Sequence, residues 1–87
     1  MFLPVGRFLI DRIDDLIYTL LRARFMISTQ TVLYKSDKTI LDEGREKNIL
    51  ARLDSGSLDK LFVDQLWRLI FNHSKHLQYL FLQRKKI

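Results

Sequence analysis

Ile10-Asp11-Arg12-Ile13-Asp14-Asp15-Leu16-Ile17-Tyr18-Thr19-Leu20-Leu21-Arg22-Ala23-Arg24 repeats its apolar residues at steps of three and four, the period of one helical face. The stripe Ile10, Ile13, Ile17, Leu20 arrives next at Arg24, then resumes at Ile27 and meets Thr31. An isolated guanidinium on a packing face is costly to desolvate and needs an anionic partner or a ligand. The same irregularity recurs twice. The stripe Glu46, Ile49, Leu50, Leu53 opens on an acid, and Val63, Trp67, Ile70 continues into Ser74 and Gln78 before Phe81. Helices with Arg, Glu, Ser and Gln on their apolar faces are expected to line a polar cavity.

Outward from that stretch, the only proline is Pro4, at a helix start where its missing N–H costs nothing. From there to Lys35 no turn cluster interrupts the pattern, which predicts one helix of about 32 residues and about 48 Å. A compact 87-residue globule has a radius of gyration near 12 Å (order of magnitude, about 2.2·N^0.38). Such a rod must protrude, and its apolar stripe asks for a second chain. The polar run Lys35-Ser36-Asp37-Lys38-Thr39 then reads as a connection. Asp42 is placed to cap a second helix running to about Leu53, with Glu43 in its first turn. Asp54-Ser55-Gly56-Ser57 reads as a turn, and Ser57 as the cap of a third helix carrying Leu58, Leu61, Phe62, Leu66 and Leu69. The expected fold is all-α: a single domain over 1–87 of three helices, long, short and long.

Composition narrows the function. Hydrophobic residues make up 47% of the chain, enough for a small core. Cysteine is absent, which rules out disulfide frameworks and thiolate metal sites and fits a reducing compartment. His73 and His76 have no accompanying ligands at metal-binding spacing, so no metal is expected. The apolar start Met1-Phe2-Leu3-Pro4-Val5 is interrupted by Arg7 and Asp11 and is too short for a secretory signal, and no window has the length of a membrane span. A cytoplasmic protein is the expectation. The net charge of +5 suits an anionic partner. Part of it is the tail Arg84-Lys85-Lys86; the remaining cations are scattered among acids without a basic-aromatic ladder, so neither nucleic acid nor membrane is expected as a partner.

The polar intrusions can be placed by helical geometry. Lys35 lies eleven residues beyond Arg24 and projects within about 20° of it. Arg7 lies seventeen residues before Arg24, about 25 Å along the axis and about 100° around it. The two cannot meet around one small ligand within a straight helix, but in an antiparallel dimer Arg7 of one chain can reach Arg24 of the other. Arg45 and Glu46 follow the Asp42 cap, and Ser74 and Gln78 share a face. Several cations, one acid, a hydroxyl and an amide suit a small dianion that carries a hydroxyl or amine. Nucleophilic catalysis has no parts here: no Ser/His/Asp set, no cysteine, no glycine-rich phosphate loop.

Arg7-x-x-Ile10-Asp11-x-Ile13-Asp14, Arg24, Lys35, Asp42-x-x-Arg45-Glu46 and Ser74-x-x-x-Gln78, in this order, resemble the all-helical chorismate mutase family over essentially residues 7 to 78. The resemblance implies an intertwined homodimeric helical bundle with two active sites, each completed by an arginine from the partner's long helix, which matches Arg7 here. It implies a Claisen-type rearrangement of chorismate to prephenate without cofactor, covalent intermediate or obligatory proton transfer. A rate gain near 10⁶ asks about 8 kcal/mol of restraint and charge stabilisation together. By the same resemblance, Arg7 and Arg24 clamp the substrate carboxylates, and Lys35 and Gln78 donate to the ether oxygen. Glu46 accepts from the ring C4 hydroxyl near Asp42, Arg45 supports Glu46, and Ser74 adds a polar contact. Some family members carry Glu where Gln78 stands and must protonate it to donate.

Asp42 reads equally well as a helix cap, Asp11 and Asp14 as structural acids, and Trp67 and Phe71 as core and pocket wall. Ile27-Ser28-Thr29-Gln30-Thr31-Val32 is more polar than the family's usual Ala/Val/Gly-rich stretch, with Thr31 at the pocket edge, and the Lys35–Asp42 linker is short. Relatives on this fold rearrange 4-amino-4-deoxychorismate or eliminate pyruvate from isochorismate. Glu46 argues against the lyase, whose substrate lacks a C4 substituent. Aminodeoxychorismate mutase and a non-catalytic helical dimerisation module stand as the other readings.

Overall fold

The computed structural model describes residues 2–32 and 43–85. Three helices carry the described chain: α1, Leu3–Thr31, α2, Glu43–Asp54, and α3, Lys60–Lys85. No strand occurs among the described residues. Lys35 and Asp42 lie outside them, as does the polar connection between the first two helices.

Helix α1 is 29 residues long, with Pro4 in its first turn and an extended Phe2 before it; the last part of the expected helix, 33–35, lies outside the described residues. No side chain caps this end; the Gly6 amide reaches the Phe2 carbonyl at 2.9 Å. At the other end the Val32 amide bonds back to Thr29 and Gln30, tightening the last turn and ending the α-spacing. Helix α2 places Glu43 and Glu46 in its first turn and Arg52 in its last, each sign complementing the helix dipole.

The turn that follows is built from short polar bonds. Ser55 Oγ donates to the Arg52 carbonyl at 2.6 Å, and the Gly56 amide to Leu53 at 3.0 Å. A Cβ at Gly56 would stand 3.2 Å from that Leu53 carbonyl, tighter than ordinary contact. Ser57 does not cap the third helix. Asp59 does, its Oδ2 accepting from the Phe62 amide at 2.9 Å, the N-cap to N3 bond. Leu58 thus precedes the helix and is exposed.

The core lies where α3 meets the C-terminal third of α1 on one side and α2 on the other. It consists of Val32, Ile49, Val63, Ile70 and Phe71, together with two buried polar side chains, Ser74 and Gln78. The inward face of α3 is therefore the stripe that contains the polar residues, while Leu61, Phe62 and Leu69 point outward. The single chain extends 54 × 29 × 16 Å with a radius of gyration of 16.3 Å, well above about 12 Å for a compact domain of this length. No residue of α1 is fully buried. Ile10, Ile13, Ile17 and Leu20 are 58%, 54%, 51% and 66% exposed.

Candidate functional site

Where α1 crosses α3, the polar intrusions meet. Arg24 Nη1 donates to Ser74 Oγ at 3.0 Å, and the Arg24 guanidinium lies 5.7 Å from the centroid of the Phe71 ring. Partial burial lowers the Arg24 pKa from its usual value, and the nearby positive charge of Arg45 lowers it further. A guanidinium remains charged under any such shift. Arg24 thus holds its positive charge at a partly desolvated corner, where the charge of a carboxylate would be favoured.

One helical turn further on, Gln78 repeats the crossing. Its Nε2 donates to the Ser28 carbonyl at 2.8 Å and to Ser28 Oγ at 3.0 Å. The end of α1 makes this possible, since the Ser28 carbonyl also accepts from Thr31 Oγ1 at 2.7 Å. Thr29 bonds back to Phe25 at 2.8 Å. Much of the polarity of this stretch is thus spent on its own helix, and Thr31 touches the Gln78 network through a shared carbonyl. Gln78 is 4% and Ser74 7% exposed, so both belong to the interior.

The acid stands in a cleft that Phe71 also lines. Glu46 Oε2 pairs with Lys75 Nζ at 3.0 Å across the groove between α2 and α3. A cleft of about 370 Å³ opens there, lined by Glu43, Glu46, Leu50, Arg68, Phe71 and Lys75 among others. Arg68 is matched by Asp64 at 2.8 Å, a bond that raises its pKa, to which the charge of Glu46 adds.

Of the residues singled out in the sequence, the chain brings together Arg24, Ser74 and Gln78, with Arg45 close enough to influence Arg24. Glu46 faces inward with Ile49, Leu50 and Leu53 but is engaged by Lys75. Arg7 is exposed near the far end of α1, seventeen residues from Arg24 on one uninterrupted helix, and does not join them within the chain. Lys35 and Asp42 fall outside the described residues. Sequence reasoning missed Lys75 and Ser28. Ser28 was findable, being four residues beyond Arg24 on the same face. His73 and His76 are stacked loosely at 6.2 Å, His73 edge-on to Phe25 at 4.9 Å, and no cluster able to hold a metal exists among the described residues.

Residues 7–79 match the family model described as Chorismate mutase type II. No curated protein and no solved structure matches the chain. The matched span contains all of the clustered polar residues as well as Arg7.

Proposed function

The chain belongs to the chorismate mutase type II family, and from that membership we propose that it rearranges chorismate to prephenate as an intramolecular transferase, without cofactor or metal. The observation that carries this reading is the crossing of α1 and α3. There a guanidinium, a buried hydroxyl and a buried amide converge beside a second cation. A pericyclic step needs only such parts: the substrate breaks a C–O bond and forms a C–C bond within itself, with no group transferred to the protein. What the protein supplies is restraint of the enolpyruvyl arm over the ring and donors aimed at the oxygen that gains charge.

In this proposal Arg24 and Arg7 of the partner subunit hold the two carboxylates. Lys35 and Gln78 donate to the ether oxygen, Glu46 accepts from the C4 hydroxyl near Asp42, Arg45 supports the carboxylate end, and Ser74 holds Arg24. Two hydrogen bonds tie the Gln78 amide nitrogen to Ser28. Donation to the substrate therefore exchanges one of them, and the longer bond, to Ser28 Oγ, is the one whose loss a rotating hydroxyl tolerates. Such an exchange is close to neutral in free energy.

A homodimer is part of the proposal. The apolar stripe of α1 and the outward residues Leu61, Phe62 and Leu69 of α3 are bare in the single chain. Each such side chain gains roughly 1.5–3 kcal/mol on full burial. A cytoplasmic site of action belongs to the same reading; no helix among the described residues is long and apolar enough to cross a membrane.

Loss of chorismate absorbance on adding the protein, with product identification, tests the proposal. Prephenate supports it. Aminodeoxyprephenate formed from the 4-amino substrate with chorismate untouched, or salicylate and pyruvate from isochorismate, reassigns the substrate. No turnover of any of these leaves a helical dimerisation module.

A further inference from the structure

The mutase reading gives Glu46 a role toward the C4 substituent but none to Lys75, the side chain that holds it. The pair spans two helices at 3.0 Å with both side chains largely withdrawn from water, at 21% and 25% exposure. It is neither a pair along one helix nor a rim contact. Phe71 is the wall common to this pair and to Arg24, lining the Glu46–Lys75 cleft and lying beneath the guanidinium. Lys75 also follows Ser74 directly, so the residue that holds Arg24 and the residue that holds Glu46 are neighbours on α3.

Resting on the mutase reading, we infer that Lys75 is a positioning and specificity residue that fixes the Glu46 carboxylate and selects a ring hydroxyl over a ring ammonium at C4. A lone carboxylate at that place would favour a cationic substituent by Coulomb attraction. With Lys75 in contact the pair sums to no net charge. A hydroxyl still finds a carboxylate oxygen to accept its hydrogen, whereas an ammonium meets a like charge immediately behind that acceptor. The surrounding charges do not reverse this sum. Glu43 and Lys47, which also line the cleft, carry opposite charges, and Arg68 is matched by Asp64. The protein would thus reject the amino substrate with a repulsive element rather than by shape.

The test is the ratio of kcat/KM on chorismate to that on 4-amino-4-deoxychorismate, measured for the wild type, Lys75→Gln and Lys75→Arg. Lys75→Gln should move the ratio toward the amino substrate by about tenfold, mostly through KM, and Lys75→Arg should restore it. A merely structural role would lower both activities together and leave the ratio unmoved, which overturns the inference. Should Lys75→Gln lose helix content, Lys75→Met keeps the aliphatic stem over the cleft and is read in the same way. If the wild type turns over neither substrate, the mutase reading itself fails. A wild type active on chorismate with a ratio insensitive to position 75 removes only the role of Lys75.

Discussion

Up to Leu20, helix α1 carries Leu3, Phe8, Ile10, Ile13, Ile17 and Leu20 on its surface, all exposed. From Leu21 onward the same helix turns partly buried residues toward α3, among them Arg24, Phe25 and Ser28. The two segments are continuous and share one apolar period. The better hydrophobic half is bare, and the half interrupted by Arg24, Ser28 and Thr31 is packed. Apolar residues supply most of the association energy available to a helix, so under the proposed function the bare half is assigned to a second chain and the packed half to the substrate.

Removing the arginine from each half gives the largest effect. Arg24→Ala should lower kcat/KM on chorismate by about 10³-fold, the cost of a substrate carboxylate left without its partner. Arg7→Ala should do the same, although Arg7 lies on the bare segment. Mixed and refolded, the two variants form heterodimers with one intact site, so about a quarter of wild-type sites should return. No recovery in proven heterodimers would place both residues in the same-chain site and erase the distinction between the halves.

Ile17→Glu addresses the bare half alone. A carboxylate forced into an apolar interface costs several kcal/mol, so the variant should dissociate about 10²-fold more readily and lose activity in proportion. Sedimentation at micromolar concentration should give twice the chain mass of 10.4 kDa for the wild type. A folded, active wild-type monomer would mean that the exposed stripe has another purpose.

The packed half is probed through Gln78. An amide donates at any ordinary pH, so the wild-type rate should stay nearly flat from about pH 5 to 8. Gln78→Glu should give an acid-favoured profile that falls up to tenfold per pH unit once the carboxyl ionises. Burial raises that ionisation above the ordinary value of about 4.3. A wild-type rate that itself falls tenfold per unit near neutrality would remove the donor role from Gln78. Gly56→Ala, in the turn between α2 and α3, should cost under about 1 kcal/mol, since the Leu53 carbonyl must yield only slightly to the new Cβ; a thermal melt measures it.

The residues that could be read from the sequence were those that break a rule. Arg24, Ser74 and Gln78 stood on apolar stripes, where an uncompensated polar group is expensive, and all three are engaged at the α1–α3 crossing. Lys75 broke no rule. It lies beside the stripe, and only the α2–α3 groove gives it Glu46. Ser57 and Asp59 are both capping residues within three positions, and periodicity does not choose between them. The choice falls to Asp59, whose carboxylate reaches the Phe62 amide while the polar bonds of Ser55 and Gly56 hold the preceding turn. The bare half of α1 was legible as an excess of length, because a helix longer than its domain has to find cover elsewhere.

The bonds at the helix crossing also fix when the site comes into being. Arg24–Ser74 and Ser28–Gln78 each join residues fifty positions apart, whereas the Asp59 cap and the Gly56 turn that bring α2 against α3 are local. Loop-closure entropy grows with separation, so the α2–α3 hairpin assembles at less entropic expense and α1 docks onto it afterwards. Changes at Asp59 should therefore alter the folding rate, and changes at Ser28 mainly the unfolding rate. On that ordering the α1–α3 corner is expected to form late in folding and to open early when the chain unfolds.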